Sequence, residues 1–177
     1  PEKGPHIAIE IAKKSGVPLK MAGKVDRVDV DYFESEIKPH IDGKHIEYLG
    51  EANHFEKNAL LGGARAMLFP ITWREPFWLV MTESMAAGTP VIAKPLGSVP
   101  EVIANGKTGF LCDSVDDFVD AIQRLGEIDR SACRTHVEDN FSIKSMVDGY
   151  LDVYRKVMRS KFEKNGYSRF LANLLMR

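Results

Sequence analysis

The sequence predicts an α/β domain built on a doubly wound parallel sheet. Three observations predict it. Short apolar runs, of the kind that form buried strands, recur along the chain. Helical segments separate them, which makes βαβ units and a parallel sheet with right-handed crossovers. Pro and Gly stand where those helices should begin and end.

The elements follow in order. Pro5 opens a helix over 6–15 and Gly16 closes it. The run 17–23 is a buried strand. Tyr32, Phe33, Ile37 and Ile41 mark a helix over 30–41, and 45–49 is a strand closed by Gly50. A helix over 55–64 precedes a fully buried strand at 66–71. The next helix covers 78–87 and stops at Gly88, with Pro90 beyond and a strand at 91–93. Ser98 and Glu101 have capping-box spacing, so a helix starts there and ends near Asn105-Gly106. A strand at 108–112 and an amphipathic helix at 116–125 follow. Helices at 131–140 and 143–158 close a Rossmann-like domain. In such sheets ligands bind beyond the carboxyl ends of the strands, which places Glu75 and Gly97-Ser98 on the binding edge.

The chain has 177 residues, enough for one domain with a proper core, and the expected division is 1–158 for that domain and 159–177 for a tail. Hydrophobic content is 44% and charged content 28%, ordinary for a globular protein. A net charge of −1 argues against nucleic acid as the main partner. Cys112 and Cys133 lack CxxC spacing and accompany no His/Cys cluster, so neither a disulfide framework nor a structural metal is expected. With no signal peptide visible, they fit a reducing cytosol, and a cytoplasmic location is expected. No apolar run approaches the ~20 residues that span a bilayer. The beginning, Pro1-Glu2-Lys3-Gly4 without an initiator Met, reads as the interior of a longer protein. From Arg155 onward the sequence is basic and carries apolar residues at helical spacing. A solvated helix docking on the rest of the protein is the favoured reading, and contact with a membrane surface is the alternative.

The stretch 75–103 carries the most chemistry. Glu75 and Glu83 form an E-x7-E pair, and Glu83 lies inside an almost wholly apolar run. On a helix over 78–87, Leu79, Glu83 and Ala86 project from one face. A carboxylate there is costly to bury unless something hydrogen-bonds to it. Glu75 falls in the loop ahead of the helix, where N–H groups point outward and attract anions. The arrangement suits a ligand with both hydroxyls and phosphates, such as a nucleotide sugar. Acidic residues near helix starts also simply complement the dipole, so spacing alone leaves both readings standing.

With these segments placed, the sequence resembles the C-terminal, donor-binding domain of a GT-B glycosyltransferase, and more narrowly the retaining enzymes of glycosyltransferase family 4. The pieces are P-E-K-G at 1–4, L-K-M-A-G at 19–23, Y-L-G-E at 48–51 and A-R-A-M-L-F-P at 64–70. Then come E-P-F-W-L-V-M-T-E-S-M-A-A-G-T-P-V-I-A at 75–93, G-S-V-P-E-V-I at 97–103 and G-K-T-G-F-L at 106–111. They occur in the family's order across about residues 1–155.

The resemblance implies roles. Lys3 matches a lysine on the donor diphosphate, and Glu75 the glutamate lying against the donor sugar. Glu83 matches the acceptor of ribose hydroxyl bonds. Phe77, Trp78 and Leu79 match the stretch whose N–H groups approach sugar and phosphates. Glu51 and Ala52 fall where the family contacts the base, and Gly97 and Ser98 match a loop near the donor. Lys3 and Glu75 are thus the expected catalytic pair. Metal and cofactor are not called for.

There are departures. Trp78 stands where the family usually has Gly, which allows close backbone approach. It crowds the sugar, reshapes its subsite or turns into the core. Ser84 and Ala87 replace the commoner Ala and Cys. The family's strand before P-E-K-G, and its phosphate-binding Arg, are absent here, so the sheet leaves a gap, borrows a strand or repacks. Exposed strand edges predict a homodimer or swapped contacts. The N-terminal acceptor domain is a further implied partner. The implied reaction is transfer of a sugar, of hexosyl type, from a nucleoside diphosphate sugar with retention, Glu75 positioning rather than attacking; the isolated chain is expected to be inactive. The alternative is a degenerate nucleotide-binding or scaffold module of the same fold. An NAD domain is poorly supported, because no G-x-G-x-x-G follows a strand.

Overall fold

The structure, a computed structural model, describes residues 1–74 and 76–164, and of residues 162–164 the backbone alone. Glu75 and the 165–177 part of the basic tail lie outside the described residues. The chain divides into two compact units, Pro1–Val137 and Glu138–Arg177, each described by itself.

The first unit alternates helix and strand as expected. α1 (Pro5–Ser15) has Pro at its first turn and left-handed glycines at both ends, Gly4 with φ 70° and Gly16 with φ 69°. Gly4 is required for a second reason. A Cβ there would lie 2.2 Å from the Pro70 carbonyl oxygen. The Gly16 N–H donates to the Ala12 carbonyl, and the buried face of α1 is Ala8, Ile9, Ile11 and Ala12.

β1 (Leu19–Met21) and β2 (Ile46–Tyr48) pair in parallel, Leu19 opposite Ile46. Pairing extends past the short ladder, with Leu19 N–H on His45 O at 2.8 Å and Gly23 N–H on Gly50 O at 2.8 Å. The helix expected over 30–41 is broken into turns. A single α turn, α2 (Val30–Tyr32), widens into a π turn at Phe33–Ile37 and tightens into a 3₁₀ turn at Lys38–His40. Pro39 explains the change, since it has no N–H for a regular α bond and its ring crowds the preceding turn. Ile9, Ile37 and Ile46 form the small core here, joined by Leu19, Met21, Tyr32, Phe33 and Ile41.

α3 (His54–Gly63) leads to β3 (Met67–Phe69), and α4 (Leu79–Ala86) to β4 (Val91–Ala93). α5 (Val99–Val102), β5 (Gly109–Leu111) and α6 (Val115–Gln123) follow. β3, β4 and β5 form one parallel sheet with β4 in the middle. Val91, Ile92 and Ala93 are fully buried, as are Met81 and Met85 of α4, Val99 of α5 and Phe118 of α6. Burying each of these side chains other than Ala93 stabilises the fold by roughly 1.5–3 kcal/mol. Gly109 permits the close approach of β5, since a Cβ there would lie 1.9 Å from the Val91 carbonyl oxygen.

The single sheet expected from the sequence is instead two, β1-β2 and β3-β4-β5. Among the described residues β1 and β3 each pair on one side alone, and their residues are less buried than those of β4.

One cap differs from expectation. Ser98 does not form the expected capping box with Glu101. Its backbone is helical (φ −77°, ψ −7°), which turns the hydroxyl from the first-turn N–H groups; the Ser98 carbonyl accepts from Glu101 and Val102 N–H instead. The boxes stand at Asn53/Glu56 on α3 and Ser114/Asp117 on α6.

α7 (Arg130–Asn140) spans the boundary between the units, and α8 (Ile143–Lys164) runs through the expected 158/159 division. Among the described residues no helix is long and apolar enough to cross a membrane.

Candidate functional site

Among the described residues, the expected site residues fall on the segments that follow β2, β3 and β4, α4 included, and on the segment before α1. That segment is tied to the end of β3: Thr72 N–H donates to the Glu2 carbonyl at 2.9 Å, and Gly4 N–H closes a turn on Pro1 at 2.8 Å. Lys3 is thereby held beside the loop that enters α4. Its ammonium lies 5.2 Å from the centroid of the Trp78 ring, a cation–π contact.

Trp78 is the residue immediately before α4, with extended backbone (φ −114°, ψ 109°). Its ring meets Phe69 edge to face at 5.6 Å. The half-buried indole is therefore folded back on the end of β3. Its Nε1–H is buried without a hydrogen-bond partner among the described residues. Such a donor is uncommon in a folded protein and marks a place where a ligand or water belongs. Among the described residues no side chain caps α4. Phe77 is exposed, and Leu79 is 68% exposed.

Glu83 shares the open face of α4 with Leu79 and Ala86, as the helical spacing requires, while Met81, Thr82, Ser84 and Met85 point into the core. It is not the buried carboxylate that its apolar neighbours suggest. Its side chain is 32% exposed, and Lys57 Nζ of α3 donates to Oε1 at 2.6 Å. Lys57 was not foreseeable from spacing, since the pair joins two helices across a strand. The only hint is the counter-charge that a carboxylate in such surroundings demands.

Glu51 and Ala52 line an open surface depression of about 230 Å³ with Leu49, Glu56 and Leu60. Asn53 fixes its rim. The Asn53 side chain accepts from Phe55 and Glu56 N–H at 2.9 and 3.0 Å, and the Glu56 carboxylate accepts from Asn53 N–H at 2.8 Å. Past β4, Gly97 takes a left-handed conformation (φ 58°), and Ser98 is buried, its hydroxyl without a partner among the described residues. Behind the site, Arg130 clasps the end of α3. Its guanidinium donates to Ala64 O at 2.9 Å, Gly62 O at 3.1 Å and Thr89 Oγ1 at 2.7 Å. That cation at a helix C-terminus satisfies carbonyls the helix leaves open.

The structure thus brings Lys3 to Trp78, and places Glu51 and Ala52 on one depression. It gives Glu83 a cationic partner. The described residues hold no group of three or more His, Cys, Asp or Glu side chains placed to bind a metal ion. Burial pushes the Cys112 thiol up to about 11 and raises that of Cys133, which sets both apart from nucleophilic chemistry.

The family described as glycosyl transferases group 1 matches residues 1–139. The chain belongs to that family. Among curated relatives it is similar to a glycogen synthase of Mycobacterium tuberculosis, 34% identical over 116 residues, covering 63% of this chain and 27% of the relative. It is also similar to an N-acetyl-alpha-D-glucosaminyl L-malate synthase of Bacillus anthracis, 34% identical over 135 residues, covering 72% of this chain and 34% of the relative. The chain therefore spans about a quarter to a third of the length of these relatives. Two solved structures share its fold. A sucrose-phosphate synthase of Thermosynechococcus elongatus aligns with TM-score 0.73 at 22% identity, over 90% of this chain and 43% of that one. The Anabaena protein HepE, solved in complex with UDP, aligns with TM-score 0.75 at 20% identity, over 87% of this chain and 45% of that one. The α/β fold expected from the sequence, the Rossmann-like half of a GT-B architecture, is the one this group 1 member has.

Proposed function

We propose that this group 1 domain binds the nucleoside diphosphate sugar of a retaining glycosyltransferase and presents it to an acceptor held by another part of the protein. Beyond family membership, one observation carries the reading. Two buried polar groups, Trp78 Nε1–H and the Ser98 hydroxyl, have no partner among the described residues, and both lie on loops leaving the carboxyl ends of adjacent parallel strands. The same edge holds Lys3 and Glu83.

The roles proposed for the residues are those that the family resemblance implies. The depression beside Glu51 and Ala52 takes the base. Glu83 accepts hydrogen bonds from the ribose hydroxyls. Lys3 faces the diphosphate and stabilises charge on the departing nucleotide, helped by the N-terminus of α4. A diphosphate is already a good leaving group, so no acid needs to protonate it, and positioning supplies much of the rest. Glu75 stays beside the sugar as a positioning group, and neither metal nor other cofactor takes part. HepE, with UDP bound, lends the base and phosphates a precedent in the same fold.

Titration calorimetry with UDP, GDP, ADP and their glucose conjugates tests the proposal. Binding of one nucleotide, weakened at least tenfold in Lys3→Met, supports it. A folded chain that binds none of them favours the second reading, a degenerate scaffold in which Trp78 has closed the site. The Trp78 ring seated on Phe69 is the observation behind that alternative.

A further inference from the structure

We infer that Lys57 is a positioning residue, holding the Glu83 carboxylate ready to accept the vicinal hydroxyls of a ribose. The inference rests on the donor-site reading above. Lys57 Nζ approaches Glu83 Oε1 at 2.6 Å, and both side chains are about one-third exposed, 35% and 32%. The contact links separate helices, so it fixes the carboxylate relative to α3 and not merely along α4.

Lys57 is itself well anchored. Its N–H donates to the Asn53 carbonyl at 2.8 Å, the first bond of a helix whose start is locked by the Asn53/Glu56 box. Glu56 and Leu60, beside it on the same helix, line the depression with Leu49, Glu51 and Ala52. One helix therefore borders the depression and reaches Glu83. In a nucleotide, the ribose is the part that joins base to phosphates.

The division of labour on the carboxylate is specific. Lys57 engages Oε1, and Oε2 has no partner among the described residues. A carboxylate has room for several donors, so a diol can add to Oε2 without displacing the lysine. Without Lys57 the side chain is free to turn toward solvent, and a ribose must order it on binding.

The test is discrimination, which a purely structural tie would not move. The 177-residue chain is titrated with UDP, GDP and ADP and with their 2′-deoxy counterparts. The wild type is expected to prefer one ribonucleotide over its deoxy form by about tenfold, the size of one charge-assisted hydrogen bond. Lys57→Met is expected to weaken the ribonucleotide by about tenfold and leave the deoxy form unchanged, so the preference collapses, while Lys57→Arg restores most of it. Circular dichroism checks folding. Should Lys57→Met not fold, Lys57→Gln, which keeps a donor without the charge, carries the same readout. A variant that keeps the preference, or weakens both forms equally, overturns the inference and leaves the donor-site reading intact. A wild type that binds a diphosphate with no ribose preference overturns it as well. A wild type that binds no nucleotide at all sinks the site reading, and the inference with it.

Discussion

The two sheets of the first unit are built from similar pieces and differ in how they are supported. β4 has a strand on each side and no exposed residue, whereas among the described residues β1 and β2 pair only with each other. A parallel ladder of two strands buries little by itself, and the β1–β2 side relies on a small isoleucine core beneath a broken helix. The lesson is that a parallel strand's burial depends on its neighbours more than on its own composition. Leu19-Lys20-Met21 and Val91-Ile92-Ala93 are alike in length, yet only the second is sealed.

That contrast can be broken by mutation. Ile92→Ala is expected to cost about 4 kcal/mol and Ile46→Ala about 2 kcal/mol, both within the range for buried isoleucines, read by urea denaturation. Equal losses would mean the two-stranded side is as well supported as the other. Hydrogen exchange should show the same order. The Leu19 amide, bonded to His45 O, should exchange long before amides of β4, because local opening needs fewer contacts broken.

A smaller effect asks where α3, which joins the two halves, belongs. Asn53→Ala removes two cap bonds and is expected to cost about 1 kcal/mol. Ser98→Ala is expected to be within about 0.5 kcal/mol of neutral, since its hydroxyl caps nothing and removing a buried unpaired group recovers its desolvation cost. A loss as large as that at Asn53 would restore the capping role read from the sequence. A pH-dependent effect is expected at Asp42, on the approach to β2. Its carboxylate accepts from the N–H groups of Ile46, Lys44 and His45, which lower its pKa to about 2. Its contribution should be complete above the ordinary Asp range and fade as pH falls through about 2, so Asp42→Asn flattens that part of an acid-unfolding curve.

Much of the fold was legible because apolar runs and Gly/Pro punctuation act locally. The helix read at 6–15 is found at Pro5–Ser15, and the strand at 91–93 is found at Val91–Ala93. The π turn was not legible, since Pro39 announces a break without saying which turn absorbs it. Nor was the choice of caps, because S-x-x-E and N-x-x-E look equal until the backbone angle of the first residue decides whether its side chain reaches the helix. At the site, the open face of α4 followed from spacing, but the lysine that meets Glu83 did not, since it comes from another helix. The seating of Trp78 on Phe69 belongs to tertiary packing alone.

Arg130 has a practical consequence. The guanidinium that grips Gly62, Ala64 and Thr89 is the same group a trypsin-like protease must seize before it cuts. While it is engaged, the bond following Arg130 should survive brief digestion. Loss of that survival would report, from a single gel band, that α3 has come away from the turn before β4.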